Sequence, residues 1–340
     1  MSYKINVLGA GPAGLYAAAL LKKNVPDVEI QIYEQRPQER GKDGLGFIFN
    51  EDVFRFFRKL GEERYQSISC NNPQWNQTLV RGKNGTCGAS PSSRTSSGLT
   101  REKVMSILEE EISMLKIPVN YNTPLTSENF ARYTDATLVI IATGAHRFLS
   151  ENQVRPFRIH ESISDLSYYW YGLEKTVSAH QFVLNKRQGI PYVMNTYPVA
   201  KTASACVVEV LSDHQSLFLQ SLEDAPPSLP SVRLRAAQFP LYENILLIGD
   251  AGGIPYFCEG LGLTHSFYVG EKLCETFLDS RLTLQERLNM FSVDQGRFYL
   301  DSFYRGLAMI ERKMHVLNQF DELSENEQLR ILTGKIIKQS

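Results

Sequence analysis

The chain has little of what marks a nucleic-acid binder, a membrane protein or a disulfide scaffold. Lys and Arg number 36 against 37 Asp and Glu, a formal net charge of −1, so no basic excess is available for phosphates or an anionic membrane surface. No apolar run reaches the roughly 18 residues that a membrane span needs. The sequence enters a strand pattern at once, so the expectation is a chain without a cleavable leader. The five cysteines (Cys70, Cys87, Cys206, Cys258 and Cys274) are scattered and lack the close pairs of a zinc site or a disulfide framework. They read as reduced thiols, and the expectation is a soluble, cytoplasmic protein with no metal, no nucleic-acid partner and no membrane span. Asn76-Gln77-Thr78 and Asn84-Gly85-Thr86 match the glycosylation acceptor pattern, which in such a compartment is a chance match. Tryptophan is scarce, at Trp75 and Trp170, and no internal repeat is visible.

What is present is concentrated at the start. Lys4 to Leu8 read as a buried strand, Gly9-Ala10-Gly11-Pro12-Ala13-Gly14 follows, Leu15 to Lys23 continue as a helix, and Val28 to Tyr33 form a second strand ending in Glu34. Gly9 permits the tight turn, Gly11 lets a pyrophosphate approach the backbone, and Gly14 lets helix and strand pack closely. Phosphates would sit on the free N–H groups at the helix start, where the peptide dipoles favour negative charge. Glu34, 20 residues past Gly14, stands where a carboxylate accepts from ribose hydroxyls. The whole unit reads as a dinucleotide site in an α/β fold, and 340 residues suffice for a large core around it.

Further along, Gly44 and Gly46 precede the apolar run Phe47 to Phe49, which reads as a strand, and Glu51 to Leu60 read as an amphipathic helix stopped by Gly61. Residues 66–99 are rich in Ser, Asn, Thr and Gly and read as a loop excursion or ragged hairpin. Thr100 is placed to cap a helix running to Lys116, and Ala136 to Ala142 form a buried strand before Thr143-Gly144. Residues 150–239 alternate like a mainly antiparallel sheet that binds substrate, closed by the rigid turn Ala225 to Pro230. Residues 240–280 return to the first domain: Asn244 to Ile248 form a strand ending in Gly249-Asp250-Ala251, and a helix runs from Gly262 to about Leu278. Asp250 stands at the carboxyl edge of a parallel sheet, where open α/β folds bind ligands. Residues 281–340 read as a C-terminal helical segment. The expected architecture is a Rossmann-like domain (1–149 and 240–280), an inserted β-sheet substrate domain (150–239) and C-terminal helices.

These motifs together resemble the FAD-dependent monooxygenases of the aromatic hydroxylase type, with a para-hydroxybenzoate-hydroxylase-like fold. The resemblance covers most of 1–60, 98–148 and 240–278. It implies that Gly9, Gly11, Pro12, Ala13, Gly14 and Glu34, with Gln35 and Arg36 after it, hold the adenosine diphosphate of FAD. It implies that Arg101 contacts the pyrophosphate side, that Asp250 binds the ribityl or pyrophosphate region, and that Gly262 and Leu263 hold the flavin pyrimidine. The chain departs from the family in two places. Thr143 stands where the middle motif has Asp, a residue tied to both FAD and NAD(P)H, and Gly252-Gly253 and Thr264 stand where Ala-His and Asn are common.

The implied activity is hydroxylation of a small aromatic or electron-rich substrate by O₂ through a flavin C4a-hydroperoxide, with NAD(P)H visiting as reductant. Tyr256 and His265, which follow the second flavin motif, are the candidate catalytic residues, a histidine being able to take a phenolic proton near neutral pH. His146, beside the altered motif, is a further candidate. Other readings stay open: an FAD-dependent reductase or desaturase of the geranylgeranyl-reductase-like branch, a flavoprotein reduced by a separate partner reductase, or one that binds FAD without turnover. A flavin halogenase is disfavoured, because the Trp-Xaa-Trp-Xaa-Ile-Pro signature is absent. Substrate identity and oligomeric state are not encoded in any pattern found.

Overall fold

A computed structural model describes residues 2–38, 45–69, 72–83, 87–222 and 226–333. Gly44, Cys70, Asn84-Gly85-Thr86, Ala225 and residues 334–340 lie outside the described residues. The chain begins as read, with β1 (Tyr3–Leu8), α1 (Pro12–Asn24) and β2 (Val28–Tyr33). It continues through β3 (Phe47–Asn50), α2 (Glu51–Leu60), α3 (Glu62–Ser69), β4 (Gln74–Arg81), β5 (Cys87–Leu99), α4 (Arg101–Met114), β6 (Val119–Asn120) and β7 (Leu138–Ile141). Then come α5 (Glu151–Val154), β8 (Ile159–Leu173), β9 (His180–Arg187), β10 (Ile190–Pro198), β11 (Ser204–Leu211), α6 (Gln215–Gln220) and β12 (Ser231–Ala237). The return is β13 (Leu241–Tyr242), β14 (Ile245–Leu247), β15 (Gly253–Ile254), α7 (Gly262–Leu278), α8 (Leu284–Asn318) and α9 (Glu325–Thr333).

The strands make a six-stranded sheet, β13-β14-β7-β1-β2-β6, and a nine-stranded one, β15-β12-β8-β11-β10-β9-β4-β5-β3. In the first, β1 lies parallel between β2 and β7, with Leu8 opposite both Tyr33 and Ile141. Parallel strands covered on both faces are apolar throughout, and all four residues of β7 are buried. Helix α1 packs this sheet against α7: Tyr16 stacks on Phe267 with ring centroids 4.2 Å apart, and Phe57 meets Phe267 edge-on at 5.3 Å. The second sheet is antiparallel except where β4 runs parallel to β9.

Of the two readings of residues 66–99, the structure shows the hairpin: β4 pairs with β5, and β5 also pairs with β3. Its small residues serve close approach rather than looseness. A Cβ on Gly98 would lie 1.8 Å from the Pro198 carbonyl oxygen, and the buried Ser97 donates from Oγ to the Pro73 carbonyl at 2.9 Å. The nine-stranded sheet therefore draws β3 to β5 and β15 from outside 150–239, so the expected single insertion accounts for only part of it. Helix α8 spans 35 residues, about 50 Å at 1.5 Å per residue. Thr283 and Glu286 form a capping box at its start, and it packs on α7, β12, β15 and β11. Among the described residues no helix is long and apolar enough to cross a membrane.

Candidate functional site

The carboxyl ends of β1, β2 and β14 open on a cleft of about 520 Å³ whose far wall is the nine-stranded sheet. At its base Gly9 has φ +112°, and a Cβ there would lie 2.4 Å from the Ala142 carbonyl oxygen. A Cβ on Gly14 would lie 2.2 Å from the Gly9 carbonyl oxygen, so this glycine is what lets α1 sit against β1. Gly11 differs, since a Cβ there meets nothing nearer than 4.0 Å: its backbone faces the open cleft. Glu34 is 7% exposed and held in place, Oε2 accepting from the Ala10 N–H at 2.8 Å and Oε1 from the Arg36 N–H at 2.9 Å. Arg36 Nε also donates to Oε1 at 3.3 Å, so Oε2 is the oxygen that keeps a lone pair for a further donor.

Two helices aim their N-termini into this space. Helix α1 starts behind Gly11 with Pro12 in its first turn, and α7 starts behind Leu261; neither has a side-chain cap or an acidic residue in its first turn. The partial positive charge of both ends is thus left for something in the cleft. Arg101 adds a full charge from the first turn of α4, fixed by the Thr100 cap, whose Oγ1 accepts from the Lys103 N–H at 3.2 Å. Asp250 opens onto the cleft from the short turn Gly249–Ala251. Burial raises its carboxyl above the ordinary aspartate range, while Arg235 and then Arg101 pull it down. Arg235 is itself buried and anchored, Nε donating to Glu161 Oε1 at 2.7 Å and Nη1 to the Asp250 carbonyl at 3.3 Å.

Gly9, Gly11, Pro12, Ala13, Glu34, Gln35, Arg36, Arg101, Thr143, Asp250, Gly262 and Leu263 all line the one cleft, and Gly14 packs beneath it. Thr143 Oγ1 donates to the His146 carbonyl at 3.1 Å and so closes its own turn, with His146 at the cleft's edge. The two catalytic candidates fare differently. Tyr256 does not line the cleft: it is wholly buried, its hydroxyl bonded to Glu209 Oε1 and to Lys313 Nζ. Burial, then Cys258 and Glu209, raise its phenol well above the usual tyrosine range. His265 lies one helical position from the cleft-lining Ser266, and that rotation of about 100° turns it toward α8. It sits 4.3 Å from the Phe298 ring, with Nδ1 unpartnered, and burial followed by the nearby Arg305 pushes its imidazole down to about 4. Both candidates are corrected to packing positions.

The wall facing the Gly9 to Gly14 turn is aromatic. Trp170 of β8, Tyr197 of β10 and Phe257 line it, and Phe257 lies 4.9 Å from Tyr168 and 6.4 Å from Trp170 between ring centroids. Behind it lies a buried ionic group absent from the sequence reading: Glu209 of β11 pairs with Lys313 of α8, and Cys258 Sγ donates to Glu209 Oε2 at 3.2 Å. The available signal was a carboxylate inside the otherwise apolar Ala205 to Leu211 and a lysine on the buried stripe of Ile310, Val316 and Leu317.

The model of an NAD(P)-binding Rossmann-like domain matches residues 7–41. A curated relative, salicyloyl-CoA 5-hydroxylase of a Streptomyces species, is 22% identical over 85% of the chain. The chain spans 61% of that relative's length. Among solved structures, the tetrameric form of 2-methyl-3-hydroxypyridine-5-carboxylic acid oxygenase superposes with a TM-score of 0.75 at 12% identity, covering 97% of this chain and 96% of that one. A probable FAD-dependent monooxygenase from Pseudomonas aeruginosa gives 0.70 at 12% identity over 98% and 99% of the two chains. The 2,6-dihydroxypyridine-3-hydroxylase from Arthrobacter nicotinovorans gives 0.70 at 15% identity over 93% of each. The chain thus carries the fold shared with the FAD-dependent aromatic hydroxylase-type flavoprotein monooxygenases.

Proposed function

We propose that the chain is an FAD-dependent monooxygenase that hydroxylates a small aromatic or otherwise electron-rich substrate, with NAD(P)H as a transient reductant. The observation that carries this reading is the single cleft in which two unneutralised helix N-termini, Glu34, Arg101 and Asp250 face an aromatic wall. These residues suit FAD. Glu34 has acceptor capacity for the adenosine ribose, the N–H groups behind Gly11 and the Arg101 fork suit the pyrophosphate, Asp250 suits the ribityl hydroxyls, and the start of α7 at Gly262 and Leu263 suits the carbonyl edge of the flavin ring. Bound FAD would supply the activation of O₂ and the transfer of one oxygen atom to the substrate. The chain's own part is to hold the substrate ring against Trp170, Tyr197 and Phe257, to exclude water there, and to keep Asp250 fixed through Arg235.

The ring systems in the relatives' names, a salicyloyl thioester and hydroxypyridines, support an aromatic or heteroaromatic substrate. The names of these neighbours, which are those of oxygenases and hydroxylases, favour this reading over a reductase or desaturase. We further take 1–149 with 240–280 as the cofactor side and 150–239 as the substrate side, with β3 to β5 of the first segment extending the sheet of the second. Cys206, Cys258 and Cys274 are unbridged, which supports a reducing, cytoplasmic setting. Delivery of electrons by a separate reductase is the second reading, favoured by Thr143, which brings no carboxylate to the cleft.

The test is the visible spectrum of the purified protein, followed by NADPH or NADH addition in air with a panel of aromatic compounds. Yellow protein whose NAD(P)H oxidation and O₂ uptake rise with one compound supports the proposal. Yellow protein inert to both nucleotides favours the partner reductase, and protein that cannot be loaded with FAD refutes the reading of the cleft.

A further inference from the structure

The aromatic wall of the cleft also borders a second, smaller recess. This recess of about 30 Å³ shares Ile48, Trp170, Tyr197 and Phe257 with the main cleft, and it ends on His180, Asn195 and Cys258. Such a volume admits about one water-sized group. It is too small for a ring and large enough for a substituent on a ring lying against Trp170 and Tyr197.

The end of the recess is polar and uncharged. Asn195 donates from Nδ2 to Cys258 Sγ at 3.5 Å, and Cys258 donates in turn to Glu209 Oε2 at 3.2 Å. Burial and the Glu209 carboxylate push the Cys258 thiol up, so it stays protonated and serves as a donor. His180 has Nδ1 3.3 Å from Thr78 Oγ1 and its ring set edge-on to Tyr197 at 6.5 Å. Burial pushes its imidazole down to about 4, and the bond to Asn195 only partly opposes this, so the ring is neutral at ordinary pH. Lys313 reaches the lining from behind, with Nζ 3.5 Å from Cys258 Sγ, but it is bonded to Glu209 and Tyr256 and the Glu209 carboxylate balances its charge. Asn195 keeps a second N–H and a second carbonyl lone pair, the complement of a group that both accepts and donates. An anionic substituent would enter beside a cation already neutralised by Glu209, at a desolvation cost well above that of a hydroxyl.

We propose that this recess orients the substrate, and that it takes one uncharged hydroxyl or amino substituent of an aromatic ring, read by Asn195 with His180 and Cys258 as its frame. The inference rests on the main cleft holding the flavin with the substrate ring against the aromatic wall. It makes the substrate a phenol-like or arylamine-like ring and excludes an aromatic carboxylate bound through its anionic group. Asn195 is the specificity-determining residue, and Lys313 is a positioning residue that acts through Glu209 and Cys258.

The test is calorimetric titration of the FAD-loaded protein with 4-methylphenol and with 4-methylbenzoate, two probes that differ only in the group offered to the recess. The expected result is binding of 4-methylphenol about tenfold more tightly or better, the discrimination available to a site with matched hydrogen bonds. Asn195→Leu is expected to bring the two within about threefold at unchanged flavin content. His180→Phe serves as the second variant and is expected to narrow the gap less. Equal or tighter binding of 4-methylbenzoate, binding of neither probe, or an Asn195→Leu protein that keeps the full preference overturns the proposal. Failure to load FAD refutes the function proposed for the main cleft, whereas loaded protein that shows no preference for 4-methylphenol refutes this subsite alone.

Discussion

Lys313→Met is the most searching single change, because it removes the cation from a buried ion pair whose two charged members are both shielded from water. Glu209 is 0% exposed and Lys313 4%, on elements far apart in the chain, and their contact joins α8 to the middle of the nine-stranded sheet. Methionine matches the lysine stem in length, so the substitution leaves little cavity and isolates the electrostatic loss. Glu209 would keep only the Tyr256 hydroxyl and the Cys258 thiol as partners. Breaking a buried pair from one side costs about 3–5 kcal/mol, whereas replacing both partners with uncharged groups of similar volume is close to neutral. Urea denaturation followed by far-UV circular dichroism should therefore show Lys313→Met strongly destabilised. The double variant Glu209→Gln/Lys313→Met should recover most of the loss, with a coupling of at least about 3 kcal/mol. A single-variant cost below about 1 kcal/mol, or additive effects in the double variant, would refute the assignment of a dehydrated ion pair.

Other expected outcomes concern the cofactor side. Gly14→Ala should lower stability even without flavin, since its Cβ would lie 2.2 Å from a backbone oxygen, whereas Gly11→Ala should fold normally and lose FAD affinity; equal thermal stabilities for the two variants would contradict this division. Glu34→Ala should weaken FAD binding by about tenfold or more through loss of charge-assisted hydrogen bonds, read by fluorescence on flavin release. Asp250→Asn should weaken FAD retention by about tenfold through loss of a charge-assisted acceptor, and unchanged retention would remove Asp250 from the flavin site.

The dinucleotide half was legible because its requirements are local. Strand, turn, helix and acid follow one another within residues 4–34, and Gly9 and Gly14 make the tight turn and the close helix–strand packing that their spacing implies. Asp250 and Gly262 could be read for the same reason, each standing next to an element end. The substrate half depends on pairing between distant strands: β4 lies beside β9 and β8 beside β11, so Trp170, His180 and Asn195 meet without any sequence period to announce it. Tyr256 and His265 misled because proximity in sequence to a flavin motif says nothing of direction; the cleft-lining Pro255 and Phe257 flank a tyrosine that points the other way. The pair Gly252-Gly253, an unexplained departure in the sequence, has a plain cause. A Cβ at these positions would lie 2.7 and 2.4 Å from the Tyr299 ring, so an aromatic side chain from α8 takes the room that larger residues would need.

That ring makes α8 a gauge between the two walls of the cleft. Tyr299 touches the loop that carries Asp250, and Lys313, 14 residues later, fixes the group behind the substrate recess. Fourteen residues are about 21 Å of helix and return to within about 40° of the same face. One inserted residue would swing Lys313 by about 100° and shift it by about 1.5 Å, unseating Glu209 while leaving every cleft-lining side chain unchanged in identity. The phase of this helix therefore ties the turn that carries Asp250 to the buried ion pair behind the aromatic wall, whatever side chains line the cleft itself.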